Sequence, residues 1–192
     1  MLRSAEELQG IRTFTARCFR DERGLLLQSY VSSEMARLGI EARFAQAIQS
    51  TSRAGVVRGM HFQWDPPQAK LVRCIAGRIL DVVVDVRPGS PTIGDHTAVE
   101  LTGDNHAVIW IPEGFAHGFM ALEEGSTVLY ECTAEWAASG EGGILWCDPQ
   151  LGIQWPPLPP IVSAKDQRLP TLSAWLKDPR SRHFSFRGLN TT

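Results

Sequence analysis

Arg58-Gly59-Met60-His61-Phe62-Gln63 opens a stretch that runs on through Lys70-Leu71-Val72-Arg73-Cys74, Leu80-Asp81-Val82-Val83-Val84-Asp85-Val86, Trp110-Ile111-Pro112-Glu113-Gly114-Phe115-Ala116-His117-Gly118-Phe119 and Val128-Leu129-Tyr130. The apolar segments are short and broken by turn residues, and a histidine stands near each end. This is the pattern of successive β-strands in a barrel or sandwich, so an all-β fold is expected.

On the N-terminal side, residues 11–19 alternate loosely, and Asp21-Glu22-Arg23-Gly24 turns the chain into Leu25-Leu26-Leu27-Gln28-Ser29-Tyr30, which predicts a hairpin. Ser32 to Gly39 predicts a short helix, capped by Ser32 or Ser33 and stopped by Gly39. Phe44 to Ser50 predicts a strand with its glutamines on one face, followed by a loop at Thr51 to Gly55. Further turns are expected at Arg87-Pro88-Gly89-Ser90-Pro91 and Thr102-Gly103-Asp104-Asn105.

Beyond Tyr130 the texture changes. Residues 137–160, rich in Gly, Pro and Trp, predict an irregular segment draped over a barrel end. Pro170 to Leu176 predicts a closing helix, and the polar tail from Asp178 to Thr192 predicts a loose end. One domain accounts for the chain: a hairpin and helix at 11–39, a barrel core at 40–136, and a covering segment with the C-terminal helix at 137–192.

At 192 residues and 43% hydrophobic content the chain can bury a full core. Nineteen basic residues stand against 21 acidic ones without a long run of either sign, which argues against a nucleic-acid or membrane surface. The start Met1-Leu2-Arg3-Ser4-Ala5-Glu6-Glu7 lacks the build of a signal peptide, and no window reaches the ~20 apolar residues of a membrane span, so a cytoplasmic location is expected. Cys18, Cys74, Cys132 and Cys147 show no C-x-x-C spacing, and Cys74 and Cys132 fall within expected strands. Free thiols are therefore expected, not disulfides or a zinc site.

Pro112-Glu113-Gly114-Phe115-Ala116-His117 has the Pro-x-Gly-x-x-His form of the second cupin motif, a turn that delivers a histidine to a barrel mouth. A metal-binding cupin also needs a His-x-His pair and a following carboxylate, whereas the chain offers only Met60-His61-Phe62-Gln63. The cage lacks two ligands, so no metal is expected. A histidine without metal partners points to acid and base work, for which a carboxylate on its other nitrogen would fix the tautomer. Asp81, Asp85 and Asp166 are all candidates, and the residues alone do not choose among them.

These segments, joined by Ser90-Pro91-Thr92, Gly143-Ile144-Leu145-Trp146, Asp148-Pro149, Leu158-Pro159 and Ser163-Ala164-Lys165-Asp166, resemble the dTDP-4-dehydrorhamnose 3,5-epimerase family in unbroken order from about Phe19 to Asp166. The resemblance implies a cupin-type jelly-roll barrel with a few short peripheral helices, no metal or cofactor, and a homodimer whose N-terminal strands cross between protomers. It further implies a nucleotide-sugar substrate, a dTDP-linked 4-keto-6-deoxysugar epimerised at C3, C5 or both in deoxysugar biosynthesis. His61 matches the family's base, Asp166 its partner, Tyr130 the acid and Lys70 the donor to the enolate oxygen. Arg58 matches a residue beside the diphosphate and His117 a supporting active-site histidine, while Phe19, Arg23, Gln28, Gln46 and Trp136 fall on the side that binds substrate. Taken singly, Tyr130 reads as a core tyrosine, Lys70 and Arg58 as surface charges, and Asp166 as a turn or cap residue.

The chain departs from the family where substrate is recognised. Gln28 stands for a glutamate, Gln46-Ala47-Ile48-Gln49-Ser50 for Gln-Asp-Asn-His-Ser, and Glu135-Trp136 for a tyrosine pair. The catalytic set is kept while recognition is altered, which predicts a changed sugar or base. Three alternatives stand beside the 3,5-epimerase: a mono-epimerase acting on an unusual deoxysugar, a non-catalytic sugar-nucleotide-binding cupin, and a metal-dependent cupin enzyme. Joint retention of His61, Tyr130, Lys70 and Asp166 argues against the silent module, and the missing His-x-His against the metal enzyme.

Overall fold

Period-two alternation becomes two antiparallel sheets facing each other across a common core in the computed structural model, which describes Met1 and residues 8–186. In chain order the elements are β1 (Arg12–Thr15), β2 (Arg17–Asp21), β3 (Gly24–Gln28), α1 (Ser32–Arg37), β4 (Gln46–Ser52), β5 (Val56–Gln63), β6 (Lys70–Ala76), β7 (Arg78–Asp85), β8 (His96–Thr102), β9 (Ala107–Ile111), β10 (Phe115–Ala121), β11 (Ser126–Cys132), β12 (Glu141–Gly143), β13 (Ile161–Val162) and α2 (Leu172–Lys177). The first sheet runs β1-β9-β6-β11-β4 and the second β12-β5-β10-β7-β8, with β13 added parallel to β5. The strands β2 and β3 form a separate two-stranded ribbon, the expected hairpin, but the stretch 11–19 read as its first strand is split, and β1 leaves it to pair with β9 in the first sheet. The result is the all-β jelly roll with short peripheral helices.

Why Val82-Val83-Val84 is continuous rather than alternating follows from packing on both faces of the second sheet. Val83 points inward to Val72, Ile109, Phe115, Phe119 and Val128. Val82 and Val84 point outward to Met60, Phe62, Ile144 and Leu151. A strand buried on both sides has no solvent face to mark with polar residues. The outer face of the first sheet is covered in part by α1 and its flanks, where Met35 and Ile40 meet Leu71, Val108 and Trp110.

The structure differs from the sequence reading at several edges. The residue capping α1 is Val31 with no side-chain bond, and Ser32 and Ser33 already lie inside the helix. Gly39 does end it, at φ 75°. Thr51 and Ser52 belong to β4, which leaves Arg53 to Gly55 as the turn. Gln46 and Gln49 do not share a face, since residues three apart on a strand point to opposite sides. The covering segment contains β12, and the tail folds back as a 3-10 turn over Pro179–Phe184, burying Phe184 with its ring 5.5 Å from that of Phe62. The readings of residues 2–7 and 187–192 lie outside the described residues. All four cysteines are free, with Cys74 and Cys132 buried. Among the described residues no helix is long and apolar enough to cross a membrane.

One local feature sets up the site. Gly59 sits at φ 127°, and a Cβ there would stand 2.6 Å from the Cα of Gly118. Only glycine tolerates both conditions, so β5 and β10 approach closely and the ladder shifts register beside His117. His61 and His117 thereby become direct cross-strand partners.

Candidate active site

A cavity of about 510 Å³ opens between the sheets, and His61, Lys70, Tyr130 and Asp166 all line it, together with Arg58, His117 and Trp136. They arrive from different elements. His61 and Arg58 come from β5 in the second sheet, Lys70 and Tyr130 from β6 and β11 in the first, and Asp166 from a 3-10 turn late in the chain. The inward face of β6 carries Val72 and Cys74 into the core, and Lys70 continues that face into the cavity. A larger groove of about 860 Å³ near Gln9, Arg12, Arg87 and His183 contains none of the expected site residues.

The carboxylate left open by the sequence is resolved by distance. Asp166 Oδ1 lies 2.7 Å from His61 Nε2, while Asp166 Oδ2 accepts the Gly59 N–H at 3.4 Å. Ser163 Oγ in turn accepts the Asp166 N–H at 3.0 Å and fixes the turn. Burial pushes the Asp166 carboxyl up, but the bond and charge of His61 with the Gly59 and Ser163 contacts hold it below the usual carboxylate range. With Nε2 engaged, Nδ1 is the nitrogen of His61 left to exchange a proton with a ligand.

Asp81 serves the other histidine. Its Oδ2 lies 2.7 Å from His117 Nε2, and both side chains are almost fully buried. Asp85 is a structural anchor: its carboxylate accepts from Arg87, Ser90 and Thr92.

Tyr130 lies against the rings of His117 and Phe119, and its hydroxyl is 3.3 Å from Ser50 Oγ. Burial is the main cause that pushes the phenol well above its ordinary value, opposed by Ser50 and by the charge of Arg58. Burial likewise lowers Lys70, opposed by the charges of Cys132, Glu141 and Asp81. Arg58 Nε donates to Ser52 Oγ at 3.1 Å. Trp136 is 56% exposed at the mouth and is held by Gln46, whose Oε1 accepts its backbone N–H at 2.8 Å. Beside it Lys165 Nζ donates to Glu141 at 2.6 Å.

Not every expected residue reaches this cavity. Phe19, Arg23 and Gln28 lie on the β2-β3 ribbon, which pairs with neither sheet, and Arg23 bonds Asp21 of its own turn. Of the altered positions Ile48 and Trp136 line the cavity, whereas Ala47 and Gln49 are exposed on the opposite face of β4. Ser50, Ser52, Gln68 and Lys165 are neighbours of the site that the sequence reading did not single out. Counting by twos from Gln46 along the expected strand gives Ser50, and Ser52 follows only because β4 runs on past Ser50. Among the described residues no group of three or more His, Cys, Asp or Glu is arranged to hold a metal ion.

The family model described as dTDP-4-dehydrorhamnose 3,5-epimerase matches residues 5–174. The chain is 45% identical over 157 residues to the dTDP-4-dehydrorhamnose 3,5-epimerase of Salmonella typhimurium, covering 80% of this chain and 86% of that one. It is similar to the crystal structure of dTDP-6-deoxy-D-glucose-3,5-epimerase RmlC from Legionella pneumophila in complex with dTDP-4-keto-L-rhamnose, at TM-score 0.86 and 37% identity, covering 92% and 93% of the two chains. It is also similar to ChmJ, a 3'-monoepimerase from Streptomyces bikiniensis in complex with dTDP-quinovose, at TM-score 0.82 and 32% identity, covering 86% and 85%.

Proposed function

The chain belongs to the dTDP-4-dehydrorhamnose 3,5-epimerase family, and from that premise we propose how its residues epimerise a dTDP-linked 4-keto-6-deoxysugar. As an isomerase of this class it acts at carbons flanking the C4 ketone, where removal of a proton gives an enolate. His61 takes that proton on Nδ1, and Asp166 stabilises the imidazolium that forms. Lys70 donates to the enolate oxygen, a place where a fixed donor is worth most because charge develops there. Tyr130 returns a proton from the other side, a role supported by its arrival from the sheet opposite that of His61. The observation that carries this reading is the 2.7 Å His61–Asp166 pair in one cavity with Lys70 and Tyr130.

The remaining roles follow the same chemistry. Arg58 suits diphosphate oxygens through its planar guanidinium, and His117, fixed by Asp81, orients the substrate. Trp136 and Gln46 face the nucleotide, with Phe19, Arg23 and Gln28 supplied by the ribbon of a second protomer. That assembly is supported by the exposure of Phe19, Leu25 and Leu26, which at 50%, 51% and 61% leave an apolar ribbon for a partner to cover. Residues 1–192 act as one metal-independent epimerase domain in the cytoplasm. Inversion at a single centre is the second reading, supported by the likeness to a 3'-monoepimerase.

Incubation with dTDP-4-keto-6-deoxyglucose in deuterated water, followed by NMR at C3 and C5, tests both readings. Deuterium with inversion at both centres supports the 3,5-epimerase, and inversion at one centre the mono-epimerase. No exchange at either centre removes the proposal.

A further inference from the structure

Alternate residues of β4 point inward, and three of the four hold a residue of the site. Gln46 accepts the Trp136 N–H, Ser50 Oγ stands 3.3 Å from the Tyr130 hydroxyl, and Ser52 accepts from Arg58. The geometry of Ser50 is set by the ladder. Tyr130 is paired with Ile48 and Val128 with Ser50, so Ser50 is the diagonal neighbour of Tyr130 on the inner face.

We propose that Ser50 is a positioning residue for the acid: it holds the Tyr130 hydroxyl towards the substrate and donates to the tyrosinate left after proton delivery. The inference rests on the acid role given to Tyr130 above. In that step the Tyr130 O–H bond breaks and a C–H bond forms at the enolate carbon. Negative charge passes from the enolate to the phenol oxygen, while Ser50 keeps its own proton and shares it in a hydrogen bond.

The environment makes this contact matter. Tyr130 is packed between His117 and Phe119, with Asp81 adding negative charge nearby, so a tyrosinate there is costly. Arg58 acts in the opposite sense but is itself bonded through Nε to Ser52. Ser50 is the hydroxyl in contact with the oxygen that gains the charge. At 3.3 Å the contact is longer than an ordinary O–H···O bond, and a charged oxygen draws such a bond in.

The test measures solvent deuterium exchange and stereochemical inversion separately in the full-length protein. Ser50→Ala is expected to lose about tenfold or more in inversion while exchange initiated by His61 stays within about twofold. Ser50→Thr, which keeps the hydroxyl, is expected to restore inversion to within about threefold. In a Tyr130→Phe background Ser50→Ala is expected to add nothing, because the hydroxyl it serves is gone. Equal loss of exchange and inversion in Ser50→Ala, an unchanged ratio, or a further loss on top of Tyr130→Phe would overturn the role of Ser50. Full inversion by Tyr130→Phe would instead remove the acid assignment beneath it, a separate and recognisable failure.

Discussion

Replacing Asp166 by asparagine preserves volume and removes one charge. In the proposed mechanism the carboxylate contributes most when His61 has taken the substrate proton and become an imidazolium, so the loss should fall on the transition state rather than on binding. Oδ1 is 2.7 Å from Nε2, and the two side chains are 6% and 28% exposed. Opposite charges about 4 Å apart at an effective dielectric near 20 attract by about 4 kcal/mol. Part of this survives as a neutral hydrogen bond, which leaves a loss of about 2–3 kcal/mol, or roughly 30- to 150-fold in rate. The asparagine faces a second difficulty. Asp166 accepts from both the His61 ring and the Gly59 N–H, whereas an amide has one acceptor. If its oxygen serves Gly59, its NH2 faces Nε2, and the ring proton moves to Nδ1, the position that must be empty to act as base. The expected result is a kcat for proton exchange reduced roughly 30- to 150-fold with KM changed less than about threefold, measured by deuterium uptake under saturating substrate. A kcat within threefold of wild type, or a loss confined to KM, would refute the reasoning.

Asp85→Asn should destabilise the fold by about 3–5 kcal/mol and lower Tm by about 10 °C in calorimetry, because Arg87, bonded to it and only 13% exposed, loses its counter-charge. Since Arg87 and Ser90 hold the Asp85 carboxyl below its ordinary value of 3.8 despite burial, its ionisation stabilises the fold fully above that pH and ceases to do so as pH falls through the lower folded value. The asparagine variant should lack that component of acid destabilisation. Ile48→Asn should raise kcat/KM for dTDP-4-keto-6-deoxyglucose roughly 3- to 10-fold, since Ile48 is the altered residue of β4 that lines the cavity, and an unchanged or lower value counts against a changed ligand preference. Light scattering should give about twice 21.2 kDa, with Phe19→Asp shifting the protein to monomer and raising KM; a fully active monomer would contradict a shared site.

Much of the barrel could be read from the sequence because its signals are local. Short runs between turn residues gave the strands, and Asp21-Glu22-Arg23-Gly24 gave the ribbon with its turn. What escaped depended on contacts distant in sequence. Glu141-Gly142-Gly143 has no strand propensity and becomes β12 only because β5 offers an open edge. Phe184 sits in a polar tail, and its burial depends on the aromatic surface made by Phe62 and Trp175. The partner of His61 was undecidable for the same reason: Asp81, Asp85 and Asp166 are alike as residue types, and Asp166 is 105 positions away along the chain. Ser50 is a different case. It lay within a segment already read as a strand, two residues from Ile48, and only its parity had to be counted.

The two histidines show how one arrangement yields two behaviours. Each has a carboxylate oxygen 2.7 Å from Nε2, yet the His61 side chain is 28% exposed and meets the cavity, while His117 and Asp81 are 4% and 0% exposed. Asp166 therefore sits where charge can appear during a reaction. Asp81 is a carboxylate in a poorly solvated interior, and its influence extends beyond His117. Behind the larger effects of Cys132 and Glu141 it opposes the loss of a proton from Lys70, countering the burial that would strip the ammonium, and it opposes the loss of one from Tyr130, adding to the burial that keeps the phenol intact. The proposed chemistry asks for these two protonation states together: a charged donor for the enolate oxygen and an acid that still carries its proton. A single buried carboxylate, introduced by the sequence as one of three indistinguishable aspartates, favours both.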